Sequence, residues 1–280
     1  MKKYVRLMRV KHYIKNLLVF APLIFNGSLK DPQRLQSTLL GWCAFSLMAS
    51  VIYVVNDILD VEKDRNHPVK KNRPIASGEV TIPRALLLLI ILLMGSLVLN
   101  GTAGGGWEAV AYLFLYLILN ILYSADLKNR PILDITVLAS GFLIRILYGA
   151  TLTKIEVSYW LYLTVVSAAF YLVLGKRRNE FIQQTGNNTR QVLAHYTLSF
   201  LDKHMYMFLS LMVVFYSLWT METNNNILVL TVPIVLLICM KYNLDVEGTS
   251  DGDPVEVLLG DKILVMLCCL YGMLLLGALY

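Results

Sequence analysis

Long apolar stretches are the feature that most constrains how this chain can fold. A helix needs about 20 residues to cross the hydrocarbon core of a bilayer, with roughly 17 to 25 tolerated. Nine stretches come near that length, and they are about 14–29, 36–56, 84–101, 107–123, 134–153, 158–175, 205–221, 226–242 and 262–279. Only helices and closed barrels satisfy their backbone groups in lipid, and the alternation of barrel strands is absent. The sequence therefore predicts an all-α integral membrane protein with nine transmembrane helices.

Composition and charge support the same class. Apolar residues make up 57% of the chain and charged residues 16%, whereas soluble domains carry roughly 25% charged residues. The net charge of +6 does not indicate a nucleic-acid partner, because the basic residues lie in short connections between apolar runs. All four cysteines fall inside those runs, which argues against a disulfide framework. We expect one polytopic membrane domain over residues 1–280, and the oligomeric state stays open, a homo-oligomer included.

The distribution of lysine and arginine predicts the orientation. With the N-terminus inside the cell, the inner segments hold 21 of the 25 basic residues. The inner loops after the N-terminal segment are about 57–84, 124–133, 176–204 and 241–262. We therefore expect a multi-pass protein of the plasma or inner membrane with its N-terminus in the cytosol.

An aspartate pattern at the end of the second predicted span is the strongest chemical signal. Asp57, Asp60 and Asp64 are spaced i, i+3 and i+7, so on a helix they share one face, and Asn56 precedes them. Three like charges are costly together unless a cation neutralises them, and oxygen ligands shared with phosphates favour Mg²⁺. The pattern predicts that these carboxylates hold a diphosphate through Mg²⁺, with Asn56 orienting one of them.

A short basic sequence occurs twice on the predicted inner side. Lys71-Asn72-Arg73-Pro74-Ile75 recurs as Lys128-Asn129-Arg130-Pro131-Ile132. Both chance and a duplicated helical hairpin would explain this match. Arg73 and Lys128 are candidate site residues, and Tyr123 opens the second loop at the membrane interface.

A charge inside a predicted span marks a further candidate. Arg145 follows Asp134 by 11 residues, three helical turns on the same face, which places it roughly 16 Å deeper along the helix. A charge at that depth is expensive, so it lines a cavity or pairs with another charge. We favour a pocket role for Arg145, with pairing to an acidic group as the alternative.

The last two inner loops carry different signals. Lys176, Arg177 and Glu180 follow the sixth span, and not all of the successive cations there can face a single pocket. The aspartates near Gly248 to Asp253 lack the spacing of an EF-hand calcium loop. We therefore interpret this segment as a lid or flexible cap and not as a calcium site.

Taken with Arg73-Pro74, the aspartate pattern resembles the first aspartate motif of the UbiA superfamily of intramembrane prenyltransferases. That resemblance implies a helical bundle around a central cavity open to the cytosol and to lipid, with diphosphate bound through Mg²⁺. Within the superfamily, the chain is most similar to the decaprenyl-phosphate phosphoribosyltransferase branch. The segments that carry this similarity include Lys15-Asn16, Asn56 to Ala76, Tyr123 to Lys128, Asp134 to Arg145, Gly175 to Glu180 and Lys241 to Asp245.

One departure from the superfamily's pattern narrows the expected substrate. Members with aromatic acceptors have a second aspartate-rich motif where this chain has Lys176, Arg177 and Glu180, and cations there suit a donor with an extra phosphate. The resemblance thus implies transfer of 5-phosphoribose from 5-phosphoribosyl 1-diphosphate to a polyprenyl phosphate, which serves cell wall biosynthesis. Lys176 and Arg177 would then hold the 5-phosphate.

The resemblance implies further site residues. Candidate substrate-binding residues are Asn16, Asn56, Arg73, Tyr123, Asp134 and Glu180. Lys15, Lys128 and Arg145 would hold the two phosphates in line by positioning and charge. Two alternatives stay open: prenyl transfer from a prenyl diphosphate to an aromatic or glycerol-phosphate acceptor, and transport of an anionic solute through a path lined by Arg145.

Overall fold

The computed structural model describes residues 2–183, 190–223, 225–247 and 253–280, and within these ranges the regular structure is entirely helical. The α-helices are α1 (Lys2–Met8), α2 (Ala21–Phe25), α3 (Pro32–Leu59), α4 (Val61–Arg65), α5 (Ile82–Thr102), α6 (Trp107–Ala125), α7 (Leu133–Thr153), α8 (Tyr159–Ile182), α9 (Leu198–Glu222), α10 (Asn226–Val229), α11 (Thr231–Glu247), α12 (Pro254–Gly260) and α13 (Lys262–Leu279). Four 3₁₀ helices cover Val10–Phe20, Lys70–Asn72, Leu127–Asn129 and Gln191–His195. The predicted all-α class is confirmed.

In the described part of the chain, eight helical segments are long and apolar enough to cross a membrane. They are α3, α5, α6, α7, α8, α9, the α10–α11 segment and α13, and each coincides with a predicted span. Large apolar side chains on these helices point outward, such as Leu87 and Ile91 on α5 and Met266 on α13. Exposed apolar surface of this extent is what a bilayer solvates. The chain is a multi-pass membrane protein.

The first predicted span, 14–29, does not form one long α-helix. Its first half belongs to the 3₁₀ helix Val10–Phe20, and its second half contains the five-residue α2. Pro22 lacks the N–H that would continue the backbone ladder. Eleven residues rising about 2.0 Å each and five rising about 1.5 Å give roughly 30 Å, the thickness of the hydrocarbon core. A ninth crossing and the cytosolic N-terminus therefore stay predictions.

One compact unit comprises Met1–Ala125 and Ile144–Ile155. Helix α3 is its centre and packs against α5, α6 and the 3₁₀ helix Val10–Phe20. Asp31 begins α3 by accepting hydrogen bonds from the backbone N–H groups of Gln33 and Arg34, at 3.0 and 3.1 Å. The side chains of Phe45, Met48 and other apolar residues of α3 form the core of this unit.

The second compact unit comprises Asp126–Leu143 and Glu156–Tyr280. Helices α8 and α9 pack along each other, and α11 packs against α13. Asp261 begins α13 by accepting a hydrogen bond from the N–H of Leu264 at 2.8 Å.

Several helices extend beyond the loop boundaries predicted from hydropathy. Helix α8 continues through Ile182, so Lys176 and its neighbours lie on a helix and not in a connection. Helix α11 likewise continues to Glu247. The reason is that helices continue through the polar interface, where the bilayer is about 40–45 Å thick in total. Residues 184–189 of the predicted 176–204 loop, and 248–252 of the predicted lid, lie outside the described residues.

Candidate functional site

The aspartates lie where α3 ends and α4 begins. Asp60 closes α3, and its backbone N–H bonds to the carbonyl of Asn56 at 2.9 Å while its own carbonyl accepts from the N–H of Asp64 at 2.8 Å. The helical path is therefore nearly continuous through the motif. Asp57 and Asp64 are each 2% exposed, whereas Asp60 is half-buried. The predicted shared face holds for Asp57 and Asp64, which contact one arginine.

That arginine is Arg73. Its Nη1 atom donates to Oδ2 of Asp64 at 2.6 Å and lies 3.2 Å from Oδ1 of Asp57. Arg9 donates from Nη2 to the same Oδ1 of Asp57 at 2.6 Å, and its guanidinium lies 4.7 Å from the centre of the Tyr53 ring. Two arginines thus balance the two buried carboxylates.

Among the residues that the structure describes, no three His, Cys, Asp or Glu side chains lie together as a metal-binding group. The three-aspartate ligand set is therefore not assembled in this structure, and it stays a prediction. The donor chemistry nevertheless fits a hard divalent cation. The carboxylate of Asp60 forms no hydrogen bond with the described residues, and the arginines bond one oxygen each of Asp57 and Asp64. The Oδ1 atom of Asn56 is buried and also has no hydrogen-bond partner there.

Arg145 lies on α7 in the same unit as the aspartates. Its Nε donates to Oδ1 of Asn16 at 2.8 Å, and its Nη2 donates to the hydroxyl of Tyr116 at 2.8 Å. Its guanidinium also faces the rings of Tyr116 and Phe45, at 4.9 and 5.2 Å from their centres. These neutral groups surround the guanidinium of a residue that is 9% exposed.

Three further candidates are half-buried. Lys15 lies on the 3₁₀ helix Val10–Phe20, and Tyr123 lies in the last turn of α6. Lys128 lies in the second unit, in the 3₁₀ turn Leu127–Asn129. No described residue forms an ion pair or hydrogen bond with the ammonium of Lys128. This leaves its charge available to an anion.

Arg177, by contrast, is fully buried in an ion network of the second unit. Its Nε donates to Oδ2 of Asp134 at 2.7 Å, and its Nη1 donates to Oε2 of Glu180 at 2.6 Å. Asp134 also accepts from the hydroxyl of Tyr196 at 2.6 Å, and Glu180 pairs with Arg190 at 3.3 Å. Burial, followed by the bond to Asp134, raises the pKa of Tyr196, so this hydroxyl keeps its proton. Of the predicted substrate-binding residues, Asp134 and Glu180 therefore both bind Arg177 here.

Lys176 is more accessible than Arg177. Its Nζ lies 3.3 Å from Oδ2 of Asp253, and 28% of its side chain is exposed. A partly exposed, loosely paired lysine can exchange its partner for a phosphate at little cost.

Sequence reasoning missed two residues of these networks, Arg9 and Tyr196. Arg9 is one of several basic residues near the N-terminus, and no spacing pattern connects it to Asp57. Tyr196 had no sequence signal, because a tyrosine between helices of a membrane protein is common at the interface.

The fold and site are those of a helical, multi-pass membrane protein with buried carboxylates at a helix end, and comparison with known proteins identifies its class. The sequence profile of the UbiA prenyltransferase family matches residues 18–260. The chain belongs to the UbiA prenyltransferase family, and it is a transferase.

Two curated relatives and one solved structure illustrate the similarity. The decaprenyl-phosphate phosphoribosyltransferase of Mycobacterium tuberculosis is 32% identical over 277 residues, covering 94% of this chain and 89% of the relative. The protein of the same name from Corynebacterium glutamicum is 30% identical over 274 residues, covering 94% and 82%. A UbiA homologue from Archaeoglobus fulgidus, solved with GPP and Mg²⁺, has a TM-score of 0.74 at 19% identity and covers 98% of this chain and 99% of its own. The structural likeness confirms the UbiA fold.

Proposed function

We propose that this protein transfers 5-phosphoribose from 5-phosphoribosyl 1-diphosphate to a polyprenyl phosphate, with Mg²⁺ as cofactor and release of diphosphate. The observation that carries the proposal is the similarity, over 94% of this chain, to relatives named decaprenyl-phosphate phosphoribosyltransferase. In the proposal, the reaction takes place at the cytosolic side of the plasma membrane, and the lipid acceptor is reached from the bilayer.

The aspartate site suits a departing diphosphate. When bound by Asp57, Asp60 and Asp64, Mg²⁺ would neutralise charge on the leaving group. Arg73 and Arg9 currently balance Asp57 and Asp64. A cation at the carboxylates would release these guanidinium groups, whose forked geometry matches phosphate oxygens.

The cations of the second unit suit the remaining phosphates. Lys128 is half-buried on a short turn and without a protein partner in the described residues, so it supplies a fixed positive charge to a phosphate. Lys176 would take the 5-phosphate by exchanging Asp253 for it. A lipid phosphate is already an anion at neutral pH, so attack on the sugar carbon needs no strong general base. In this proposal Lys15 and Arg145 keep their predicted role of holding phosphates by charge.

The experiment is a product assay with the purified full-length protein in lipid nanodiscs. Radiolabelled 5-phosphoribosyl 1-diphosphate and polyprenyl phosphate should give a labelled lipid with Mg²⁺ and none with EDTA. Asp60→Asn should abolish the product, because it removes a carboxylate that makes no hydrogen bond within the described part of the chain and is therefore free to bind Mg²⁺. Glu62→Gln is the matched control, since Glu62 is an exposed carboxylate of α4 paired with Arg65. Absence of labelled lipid from the wild-type protein under these conditions would reject the proposal.

Prenyl transfer is the second candidate, because the family is named for it and the solved homologue was captured with GPP. A parallel reaction with labelled prenyl diphosphate and aromatic or glycerol-phosphate acceptors separates the two. Turnover there, with none on the phosphoribosyl donor, would favour the second candidate.

A further inference from the structure

The backbone just after Lys128 is strained. Ile132 has φ = +69°, in the left-handed region that L-residues avoid, and its branched Cβ makes this conformation still less favourable. Its side chain is 60% exposed, so packing of that side chain does not hold the conformation. Strain of this kind persists where surrounding contacts impose it, and it is frequent at functional sites.

The hydroxyl of Tyr196 supplies such a contact. It accepts a hydrogen bond from the N–H of Ile132 at 2.6 Å and donates one to Oδ1 of Asp134 at 2.6 Å. The Tyr196 side chain is buried, and its ring stacks on Phe200 with 5.6 Å between ring centres. One hydroxyl therefore joins the strained residue to the first turn of α7.

The carboxylate of Asp134, which accepts the hydrogen bond from Tyr196, is itself held in place. Oδ2 of Asp134 binds Arg177, which in turn binds Glu180, so the carboxylate cannot rotate without breaking a fully buried ion pair. The strain at Ile132 is thus maintained through Tyr196 by the buried network of α7 and α8.

Hydrogen bonds to Asp126 hold the beginning of the turn that contains Lys128. The N–H of Asn129 bonds to the carbonyl of Asp126 at 2.9 Å, and Arg130 pairs with Asp126 at 2.5 Å. Lys128 lies inside this turn, four residues before Ile132. Its direction is therefore set by the backbone that Tyr196 holds.

We infer that Tyr196 is a positioning residue, whose hydroxyl fixes the turn that carries Lys128 so that the ammonium is held in place for a substrate phosphate. The inference rests on the proposed function for the role of Lys128. A misplacement of about 1 Å in a catalytic group can cost roughly 100-fold in rate, so loss of one hydrogen bond at this turn should be measurable.

The test uses the full-length protein and the variant Tyr196→Phe, which removes the hydroxyl and keeps the ring. Hydrogen–deuterium exchange, measured without substrate, should show faster exchange in residues 126–132 than in the wild type. Phosphoribosyl transfer should fall by about 10-fold in kcat, with a smaller change in KM for either substrate. In a Lys128→Met background, Tyr196→Phe should change the remaining rate by less than about twofold, because it acts through Lys128.

Tyr216→Phe is the control, since it removes another buried hydroxyl of the same unit, bonded to Thr231 at 2.6 Å. It should leave both the rate and the exchange of residues 126–132 unchanged. Ile132→Gly should restore Tyr196→Phe to within about threefold of the wild type, because glycine adopts positive φ without strain.

Three outcomes would overturn the inference. The first is that Tyr196→Phe leaves hydrogen–deuterium exchange in residues 126–132 unchanged. The second is that Tyr196→Phe lowers the transfer rate by the same factor with and without Lys128→Met. The third is that Tyr196→Phe yields less folded protein than Tyr216→Phe does. If wild-type transfer is absent while the exchange result holds, the proposed function fails and the positioning of the turn stands.

Discussion

The guanidinium of Arg73 lies 2.6 Å from the carboxylate of Asp64, nine residues earlier in the chain. It also reaches Asp57 at 3.2 Å, so one cation bridges two buried carboxylates. This is the charge arrangement that a bound metal would otherwise provide. We therefore expect Arg73 and Mg²⁺ to stabilise the same pair of aspartates in different states.

The first prediction concerns the replacement of Arg73 by Mg²⁺ as the cation that neutralises Asp57 and Asp64. Arg73→Ala should lower the free energy of unfolding by about 1.5–3 kcal/mol in EDTA, because two buried carboxylates lose a shared charged hydrogen-bond donor. Added Mg²⁺ should recover part of that loss, since a cation that binds the folded protein stabilises it by mass action. Thermal unfolding in detergent, with EDTA and with Mg²⁺, measures both effects.

Arg65→Ala is the control for Arg73→Ala, because Arg65 pairs with the exposed Glu62 on the same short helix. It should change the unfolding temperature little in either condition. Two results would contradict the replacement of Arg73 by Mg²⁺. One is an equal loss of stability in the two variants, and the other is a loss of stability in Arg73→Ala that Mg²⁺ does not reduce.

A second prediction separates the buried carboxylates from their exposed neighbour. Asp64→Asn should lower transferase activity roughly 100-fold or more, a few kcal/mol of transition-state stabilisation. It should also raise the Mg²⁺ concentration needed for half-maximal rate. Glu62→Gln should leave both quantities near the wild-type values, and initial rates over a Mg²⁺ titration provide the comparison. Equal metal requirements in the two variants would argue against Asp64 as a ligand.

The sequence predicted the eight long spans because each is a property of local composition. The boundaries were less accurate for α8, since hydropathy falls at Lys176 while the helix continues to Ile182. The conformation of Val10–Phe20 could not be predicted either. It depends on how that segment packs against α3 and α7, which local patterns do not report.

At the candidate site, the sequence identified the charged residues but not their partners. Asp57 and Asp64 share a face, as the spacing predicted, yet the contact from Arg9 crosses 48 positions of sequence. Arg177 was predicted to bind a phosphate, and no pattern in the sequence indicated that Asp134 would neutralise it. Long-range pairing of charges is set by tertiary packing and is invisible to spacing rules.

The repeated Lys-Asn-Arg-Pro-Ile sequence has a local structural counterpart. In both copies the Lys-Asn pair ends a 3₁₀ turn, and the following arginine, Arg73 or Arg130, is extended before its proline. The copies then differ, because Ile75 is buried while Ile132 is exposed with positive φ. The shared turn, with an extended arginine before the proline, favours the duplicated-hairpin interpretation over chance.

A third prediction tests the buried network of the second unit. Arg177→Met alone should cost about 3–5 kcal/mol, because it leaves Asp134 buried and uncompensated. The double variant Arg177→Met/Asp134→Leu should recover much of that stability, since apolar replacements of a buried ion pair are often neutral. Unfolding temperatures of the single and double variants measure the coupling. If the double variant is no more stable than Arg177→Met, Asp134 is not the main ionic partner of Arg177.

A fourth prediction concerns Arg145. Asn16→Ala removes the acceptor of its Nε donor and should lower stability by about 1–3 kcal/mol, because a charged donor would be left unsatisfied away from water. Asn16→Asp keeps an acceptor at the same place and should be closer to the wild type in stability. Unfolding temperatures test this pair of variants. Loss of activity in Asn16→Ala at unchanged stability would instead favour a direct role of Asn16 with substrate.

The last prediction tests the close approach of α7 to the N-terminal 3₁₀ helix. A Cβ added to Gly149 would lie 2.0 Å from the backbone carbonyl oxygen of Val19, and a backbone atom cannot rotate away as a side chain can. Gly149→Ala should therefore destabilise the protein by about 1–3 kcal/mol or more. Gly101→Ala on α5 is the matched control, because its added Cβ would meet nothing within 4 Å. Equal unfolding temperatures for the two variants would mean that Val10–Phe20 does not pack against α7 as the structure has it.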